Sequence, residues 1–199
     1  ADVGIIGPPN AGKSTLLAAS TAARPKIANY PFTTLIPNLG IVELEDTSFV
    51  LVDIPGLIEG SHQGKGLGDE FLRHIERTRV LVHLLDGASQ DPLKGYEETK
   101  REITLFDPAL AQKPYIVALN KIDLPQAQEI WPALKGELER QGETAVAISA
   151  LTGQGVREML YRLAQLLAET PREEEKVEEV AILRLLEDSF VIEGQEGGF

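Results

Sequence analysis

The sequence predicts an α/β fold in which a doubly wound, mostly parallel six-stranded sheet carries helices on both faces. Short runs rich in Val, Ile and Leu alternate with amphipathic stretches, and such near-continuous apolar strands are typical of parallel sheets covered on both sides. The predicted strands are Val3–Ile6, Ile41–Leu44, Phe49–Val52, Val80–Leu85, Tyr115–Leu119 and Ala145–Ile148. The predicted helices are Lys13–Ala22, Asp69–Arg77, Tyr96–Phe106, Gln126–Gln141 and Val156–Glu169.

The composition is that of a globular protein. Hydrophobic residues make up 43% of the chain and charged residues 25%, which is typical of a globular domain. The length of 199 residues is enough for one domain plus a fragment of another. It has no cysteine, which excludes a disulfide framework and fits a reducing compartment, so we expect a cytoplasmic protein. No apolar run approaches the ~18 residues that a membrane helix needs. The net charge of −12 indicates no extended basic surface for nucleic acid.

Both ends of the chain differ from its middle. The chain starts within a strand at Ala1, without methionine or a signal-like core, and we expect that it was cut from something longer. After residues 1–170, which read as one domain, residues 171–199 open with a charged, acidic stretch. We interpret them as a linker plus the start of a truncated further domain, with a disordered acidic tail as the alternative.

A phosphate-binding loop is predicted between the first strand and the first helix. The segment matches G-x-x-x-x-G-K-[ST] in the strand–loop–helix context that supports the motif. Its backbone amides and the helix N-terminus would face the phosphates. Lys13 would reach the β- and γ-phosphates as a catalytic residue, and the Ser14 hydroxyl would ligate Mg²⁺. The nucleotide-binding residues predicted here are Gly7, Pro8, Pro9, Asn10, Ala11, Gly12, Lys13, Ser14 and Thr15.

A second phosphate-facing turn is predicted where the strand Phe49–Val52 ends. We expect Asp53, Ile54, Pro55 and Gly56 to bind nucleotide. The Asp53 carboxylate would hold Mg²⁺ through water, and the turn would bring the Gly56 amide near the γ-phosphate as a catalytic group. Turns of this composition are common, so the position shortly after the phosphate loop carries the prediction.

Guanine recognition is predicted from Asn120, Lys121, Ile122 and Asp123, the N-K-x-D pattern of GTPases, directly after a buried strand. The Asp123 carboxylate can accept from guanine N1–H and the 2-amino group, and adenine offers neither donor there. Lys121 can lay its methylene stem along the base, and Asn120 can brace the loop. An ATP-driven enzyme is therefore disfavoured.

Two weaker segments complete the predicted site. One is the loop at the end of the last strand, whose backbone would touch guanine O6; its residues are Ser149, Ala150 and Leu151. The other lies in the first of two long segments rich in Pro, Gly, Thr and Asn, which are Arg24–Gly40 and Ile54–Gly68. There one threonine would complete the Mg²⁺ shell and sense the γ-phosphate, although paired loop threonines are more often solvated. The predicted nucleotide-binding residues are Phe32, Thr33, Thr34, Leu35 and Ile36.

Whole motifs of the chain resemble the Obg family of GTPases, over residues 1 to about 170. They are Gly7–Thr15, Tyr30–Gly40, Asp53–Gly66 and Phe71–Arg79. One departure is Ser61, where the family signature usually has the similarly small alanine. The resemblance favours Thr34 over Thr33 as the metal ligand and catalytic threonine.

The resemblance implies a P-loop NTPase fold of the Ras-like GTPase type, with GTP and GDP as ligands and Mg²⁺ as cofactor. Obg proteins act in assembly of the large ribosomal subunit and in growth and stress control in bacteria. They carry a glycine-rich domain before the GTPase domain, which would supply much of the contact with ribosomal RNA and protein, and a smaller domain after it. We expect a monomer.

The residue after the Asp53 turn is Leu57, in the place where Ras-like enzymes hold the glutamine that orients the attacking water. Leucine cannot do this, which predicts slow intrinsic hydrolysis. The water would be positioned by backbone, by Thr34 or by a group from outside the chain. His62 and Gln63 are the nearest polar candidates, although loop residues of this kind are more often solvated.

Three further residues have two interpretations each. Asn10 resembles the asparagine with which some GTPases hold K⁺ in place of an arginine, and alternatively it only braces the loop. Arg77 and Arg79 could supply an arginine finger within the chain, although capping and surface pairing are the more ordinary roles. Two functional classes follow for the whole: a slow GTPase switch, which the sequence favours, and a nucleotide-sensing module with negligible turnover.

Overall fold

The computed structural model describes residues 1–21, 26–27, 38–54 and 78–170, and the α/β fold is confirmed. The strands are β1 (Val3–Ile6), β2 (Lys26–Ile27), β3 (Asn38–Glu43), β4 (Ser48–Asp53), β5 (Val80–Asp86), β6 (Tyr115–Asn120) and β7 (Ala145–Ala147). The helices are α1 (Lys13–Ser20), α2 (Pro92–Phe106), α3 (Pro108–Ala111), α4 (Pro125–Arg140) and α5 (Val156–Glu169). The predicted helix over 69–77 and the segment 171–199 lie outside the described residues.

The described strands form one sheet in the order β2-β3-β4-β1-β5-β6-β7. The five strands from β4 to β7 are parallel, while β3 runs antiparallel to β4 and β2 antiparallel to β3. The described residues form seven strands: the six that were predicted and the two-residue strand β2, which is too short to show a periodic pattern. Since β2 and the start of β3 fall within Arg24–Gly40, that segment is also not irregular throughout.

Helices cover both faces of the sheet, as predicted. On one face α1 and α5 pack against β1, β4 and β5, and on the other face lie α2, α3 and α4. The strands between them are buried almost continuously, including all of β1 and the first six residues of β5. Within the described residues, none of the helices is long and apolar enough to cross a membrane.

The carboxyl ends of the parallel strands bring the functional segments to one edge of the sheet. There β1 leads into Gly7, β4 ends at Asp53, β5 ends at Asp86 and β6 ends at Asn120. Asp86 and Asn120 are direct partners in the register of β5 and β6. Ligands of open α/β sheets bind at this edge, so the side chains gathered here form the candidate site.

Candidate functional site

The loop between β1 and α1 has a backbone that requires glycine at two positions. Gly7 and Gly12 have φ of 150° and 96°, in the left-handed region, and Asn10 has 63°. A Cβ at Gly7 would lie 2.3 Å from the carbonyl oxygen of Leu84, and one at Gly12 would lie 2.4 Å from Nδ2 of Asn120. The loop therefore lies directly against β5 and the Asn120 side chain, with no room for a larger residue.

Lys13 begins α1 and places its ammonium group over this loop. Its Nζ donates to the carbonyl oxygens of Gly7 at 3.0 Å and Pro8 at 3.1 Å. The N-cap of α1 is Gly12, which has no side chain that could accept a hydrogen bond from the first-turn amides. A cation beside uncapped helical amides is an arrangement that binds anions such as phosphate.

Ser14 and Asp53 meet beside the loop. The Ser14 hydroxyl donates to Oδ2 of Asp53 at 2.7 Å, joining α1 to the end of β4. Asp53 is only 4% exposed, and its Oδ1 is buried without a hydrogen-bond partner among the described residues. Burial raises the pKa of the Asp53 carboxyl above its ordinary value, while the Ser14 hydrogen bond and the charge of Lys13 oppose that shift.

These two oxygen donors fit Mg²⁺. Magnesium prefers hard oxygen ligands and is held in nucleotide sites by one or two protein groups, with phosphates and water completing the shell. The orphaned Oδ1 of Asp53 is an acceptor that a magnesium-bound water would satisfy. In the part of the chain that is described, no cluster of three or more His, Asp or Glu offers an alternative site of the all-protein kind.

Asn120 joins the phosphate loop to the loop after β7. Its Nδ2 donates to the carbonyl oxygen of Ala11 at 2.8 Å, and its Oδ1 accepts from the Ala150 amide at 2.9 Å. The side chain is 3% exposed, so both bonds are protected from water. This is the bracing role expected of Asn120, and it fixes two separate loops at one point.

Asp123 lies three residues after Asn120, partly exposed and just before the start of α4. Its Oδ1 is buried and has no hydrogen-bond partner among the described residues. Ile122 is buried, and its amide donates to the carbonyl oxygen of Ile148 at 3.0 Å, which ties this turn to β7. Asp123 thus carries a buried acceptor without a donor among the described residues, which is what the predicted guanine contact requires.

The loop after β7 is held from within. Ser149 is fully buried, its amide donates to the carbonyl oxygen of Gln154 at 2.9 Å, and its hydroxyl accepts from the Thr152 amide at 3.1 Å. The next side chain, Leu151, is 79% exposed. The Ala150 amide is already bonded to Asn120, so a contact from this loop to guanine O6 stays a prediction.

One charged residue of this edge, Asp86, was not predicted from the sequence. Asp86 ends β5 and pairs with Lys121, with 2.8 Å between Oδ1 and Nζ. The following Gly87 amide donates to the Asn120 carbonyl oxygen at 3.1 Å. An acidic residue at the end of a buried strand, beside the strand that ends in Asn120, was the available signal.

Arg79 does not face the site. Its guanidinium donates to the carbonyl oxygens of Leu167 and Thr170 at the end of α5 and pairs with Asp2 at 3.5 Å. For Arg79 the structure therefore supports the capping interpretation, and the capped helix is α5.

Ile54, a predicted nucleotide contact, is a core residue. It is 1% exposed, its side chain lies against Gly4, and its amide donates to the carbonyl oxygen of Ile5 at 3.2 Å. Its side chain is thus directed into the core, away from any ligand. Several predicted site residues lie outside the described residues: Phe32, Thr33, Thr34, Leu35, Ile36, Pro55 and Gly56, together with Leu57, His62, Gln63 and Arg77.

The fold and this edge of the sheet define a P-loop GTPase domain, and sequence comparison agrees. The model of a family described as "50S ribosome-binding GTPase" matches residues 2–121. Curated GTPase Obg proteins are similar over most of the chain. That of Caldanaerobacter subterraneus is 48% identical over 202 residues and that of Symbiobacterium thermophilum 57% over 164, covering 100% and 80% of this chain.

The chain belongs to the 50S ribosome-binding GTPase family and, within it, to the Obg proteins. It spans 48% of the Caldanaerobacter protein and 39% of the Symbiobacterium protein, so it corresponds to about half of such a protein or less.

Solved structures show the same fold. The G domain of the Thermotoga maritima FeoB iron transporter matches with a TM-score of 0.62 at 23% identity. The match covers 83% of this chain and 97% of the FeoB domain. Era, solved in complex with MgGDPNP and a segment of 16S ribosomal RNA, gives a TM-score of 0.59 at 26% identity, over 85% of this chain and 56% of Era.

Proposed function

We propose that this chain binds GTP and GDP with Mg²⁺ and hydrolyses GTP slowly to GDP and phosphate. The observation that carries the proposal is the double hydrogen bond of Asn120, which fixes the phosphate loop through Ala11 and the base loop through Ala150. One buried side chain thereby sets the distance between the two ends of a nucleotide site. A site preorganised in this way loses less entropy when its ligand binds.

The phosphate half of the site would be formed by the loop amides, by Lys13 and by the α1 N-terminus. Ser14, Asp53 and Thr34 would hold Mg²⁺, which supplies positive charge to the β- and γ-phosphate oxygens when bound. The Gly56 amide would contact the γ-phosphate. The Ser14–Asp53 hydrogen bond and the orphaned Oδ1 of Asp53 support this assignment.

The base half would select guanine. The buried acceptor on Asp123 matches the N1–H and 2-amino donors of guanine. Against adenine it would stay unpaired, and a site that leaves a buried polar group unpaired rejects the ligand by several orders of magnitude, about 10⁴-fold in strong cases. Selection of GTP over ATP follows.

Slow hydrolysis is inferred from Leu57, which cannot orient a water molecule. Asn10 supports K⁺ as an additional charge: its side chain is exposed and makes no hydrogen bond within the described residues, so its amide oxygen is accessible to a cation. A K⁺ ion beside the phosphates would stabilise developing charge as an arginine finger does.

In the whole protein, we infer a cytoplasmic molecular switch that acts in large-subunit assembly and in growth and stress control. Support comes from the family to which the chain belongs and from the Obg proteins that match it. Ribosome contact would fall mainly to a glycine-rich domain that precedes residues 1–170. Residues 171–199 would be an acidic linker and the start of a further domain.

Single-turnover hydrolysis of GTP tests this function. The 199-residue chain is mixed in excess with GTP and Mg²⁺ in KCl and separately in NaCl, and phosphate release is followed with Lys13→Ala as the matched inactive variant. Slow release that requires Lys13 is expected, faster in KCl. Equal rates in both salts would exclude a role for K⁺ in hydrolysis. Phosphate release no faster than that of Lys13→Ala would favour the nucleotide-sensing module.

A further inference from the structure

The Asp86–Lys121 ion pair joins two neighbouring strands at the edge where the base would lie. Asp86 is the last residue of β5 and faces Asn120 in the register, while Lys121 is the first residue after β6. The side chains are 17% and 30% exposed, and Oδ1 and Nζ are 2.8 Å apart. The pair is thus partly buried, between the exposed pairs that contribute little and the buried pairs that are costly to break.

Lys121 is held at both ends, by the fold at its backbone and by Asp86 at its ammonium group. Its φ of 66° lies in the left-handed region, which lysine rarely adopts. That conformation is fixed from both sides, because the Asn120 carbonyl oxygen accepts from the Gly87 amide and the Ile122 amide is bonded to Ile148. The first part of the lysine is therefore held by the fold, and the flexible four-carbon stem is held at its far end by Asp86.

We propose that Asp86 is a positioning residue of the guanine site, which acts by holding the Lys121 ammonium so that the lysine stem lies along the base. The proposal rests on the guanine-nucleotide binding proposed above. Without the carboxylate, the lysine stem gains freedom that nucleotide binding must remove again, and the ammonium is left beside a neutral group.

Asp86 has a second contact that must be separated from the first. Its Oδ1 also accepts from the Ala88 amide at 2.8 Å, which closes the turn after β5. Asparagine keeps an oxygen at this position and can still accept from that amide, but it carries no charge. Asp86→Asn therefore removes the ion pair selectively, and Asp86→Glu keeps the charge on a longer side chain.

The test is a double-mutant cycle measured by titration with GDP and Mg²⁺. Asp86→Asn, Lys121→Met and the double variant are compared with the unchanged chain, and the melting temperature of each is recorded. Glu139→Gln is the matched control, because it neutralises a carboxylate that pairs with Lys135 on the exposed surface of α4 at 3.6 Å.

We expect Asp86→Asn to weaken GDP binding about tenfold, between the losses typical of exposed and buried pairs, with Glu139→Gln unchanged. In the Lys121→Met background the same change has less than about a twofold effect, because the group that Asp86 positions is gone. Asp86→Glu recovers at least part of the loss. Binding by Asp86→Asn equal to that of the unchanged chain would overturn the proposal, as would a full tenfold loss in the Lys121→Met background. Failure of the unchanged chain to bind GDP would instead refute the proposed function.

Discussion

The hydroxyl of Ser14, in the first turn of α1, donates a 2.7 Å hydrogen bond to the carboxylate of Asp53 at the end of β4. The two residues are 39 positions apart in sequence, and β1 lies between β4 and β5 in the sheet. The pairing of β1 with β4, in which Ile5 is opposite Asp53, brings them together. The sheet register therefore brings together two side-chain oxygens of the kind that Mg²⁺ prefers.

Replacing Ser14 by alanine tests this pair. The variant removes one proposed magnesium ligand and the hydrogen bond that Asp53 accepts from Ser14. We therefore expect the gain in affinity for a non-hydrolysable GTP analogue on adding Mg²⁺ to be about tenfold smaller than in the unchanged chain. The measurement is titration with the analogue in Mg²⁺ and in EDTA. Thr104→Ala is the control, since that exposed hydroxyl bonds only to its own helix at Lys100. An unaltered response to Mg²⁺ in Ser14→Ala would exclude the serine as a ligand.

Exchange of Asp123 for asparagine should change which purine is bound. In the proposed site the carboxylate would accept two donors from guanine, whereas an amide could donate to the 2-carbonyl of xanthine. We expect GDP affinity to fall by about a hundredfold or more and affinity for xanthosine diphosphate to rise. Competition between the two nucleotides on the same variant measures the effect. If GDP affinity stayed within a few-fold, Asp123 would not contact the base.

Arg79→Ala should affect stability and not chemistry. The guanidinium caps the last carbonyl groups of α5 and pairs with Asp2, and loss of such charged hydrogen bonds costs about 2 kcal/mol. Thermal unfolding measures the loss, with Arg140→Ala as the control on an exposed pair. Phosphate release from GTP in single-turnover assays should be unchanged. A hundredfold slower release at an unchanged melting temperature would restore the arginine-finger interpretation.

The buried histidine of β5 predicts acid sensitivity. His83 is 2% exposed and packs against Tyr96, with the ring centroids 4.8 Å apart and the rings tilted by 38°. Burial, with the charge of Lys100 adding to it, lowers the pKa of His83 to about 3. Between that value and the unfolded value of 6.5, the unfolded state binds the extra proton. Stability therefore falls as pH drops below 6.5, by up to about 1.4 kcal/mol per pH unit.

Denaturant unfolding of the chain and of His83→Phe between pH 7 and pH 5 checks this. Phenylalanine keeps a ring beside Tyr96 and Tyr115, the two tyrosines that neighbour His83, and removes the titrating group. The carboxyl of Glu143 contributes little in that range, because its pKa is lowered from an ordinary value of 4.5. Parallel stability profiles for the two chains would contradict a neutral, buried histidine.

Much of the fold follows from local pattern. The apolar runs and amphipathic stretches predicted the six longer strands and, among the described elements, the helices α1, α2, α4 and α5, with ends displaced by a few residues. Two helix starts were missed although the signal was present: Asp91 and Asp107 each precede a proline and cap α2 and α3 by accepting from the Lys94 and Ala109 amides. Aspartate before proline is a start signal that apolar periodicity does not contain.

The candidate site was predictable where the sequence carries a contiguous motif and unpredictable where two strands supply one contact. Gly7–Ser14 and the Asn120–Asp123 turn could be recognised from the sequence, because the spacing and order of their residues define the two motifs. Asp86 could be recognised from the sequence only as an acidic residue at the end of a buried strand, because its pairing with Lys121 depends on the register of β5 and β6. Ile54 was assigned to the ligand by its place in a motif, while the packing of β1 and β4 directs its side chain into the core.

The most direct test of the account is calorimetric titration of the 199-residue chain with GDP, a non-hydrolysable GTP analogue and ATP, each with and without Mg²⁺. We expect one guanine nucleotide bound per chain, tighter binding of the GTP analogue in Mg²⁺, and no heat from ATP at the same concentrations. ATP binding as strong as GDP binding, or no nucleotide binding at all, would contradict it.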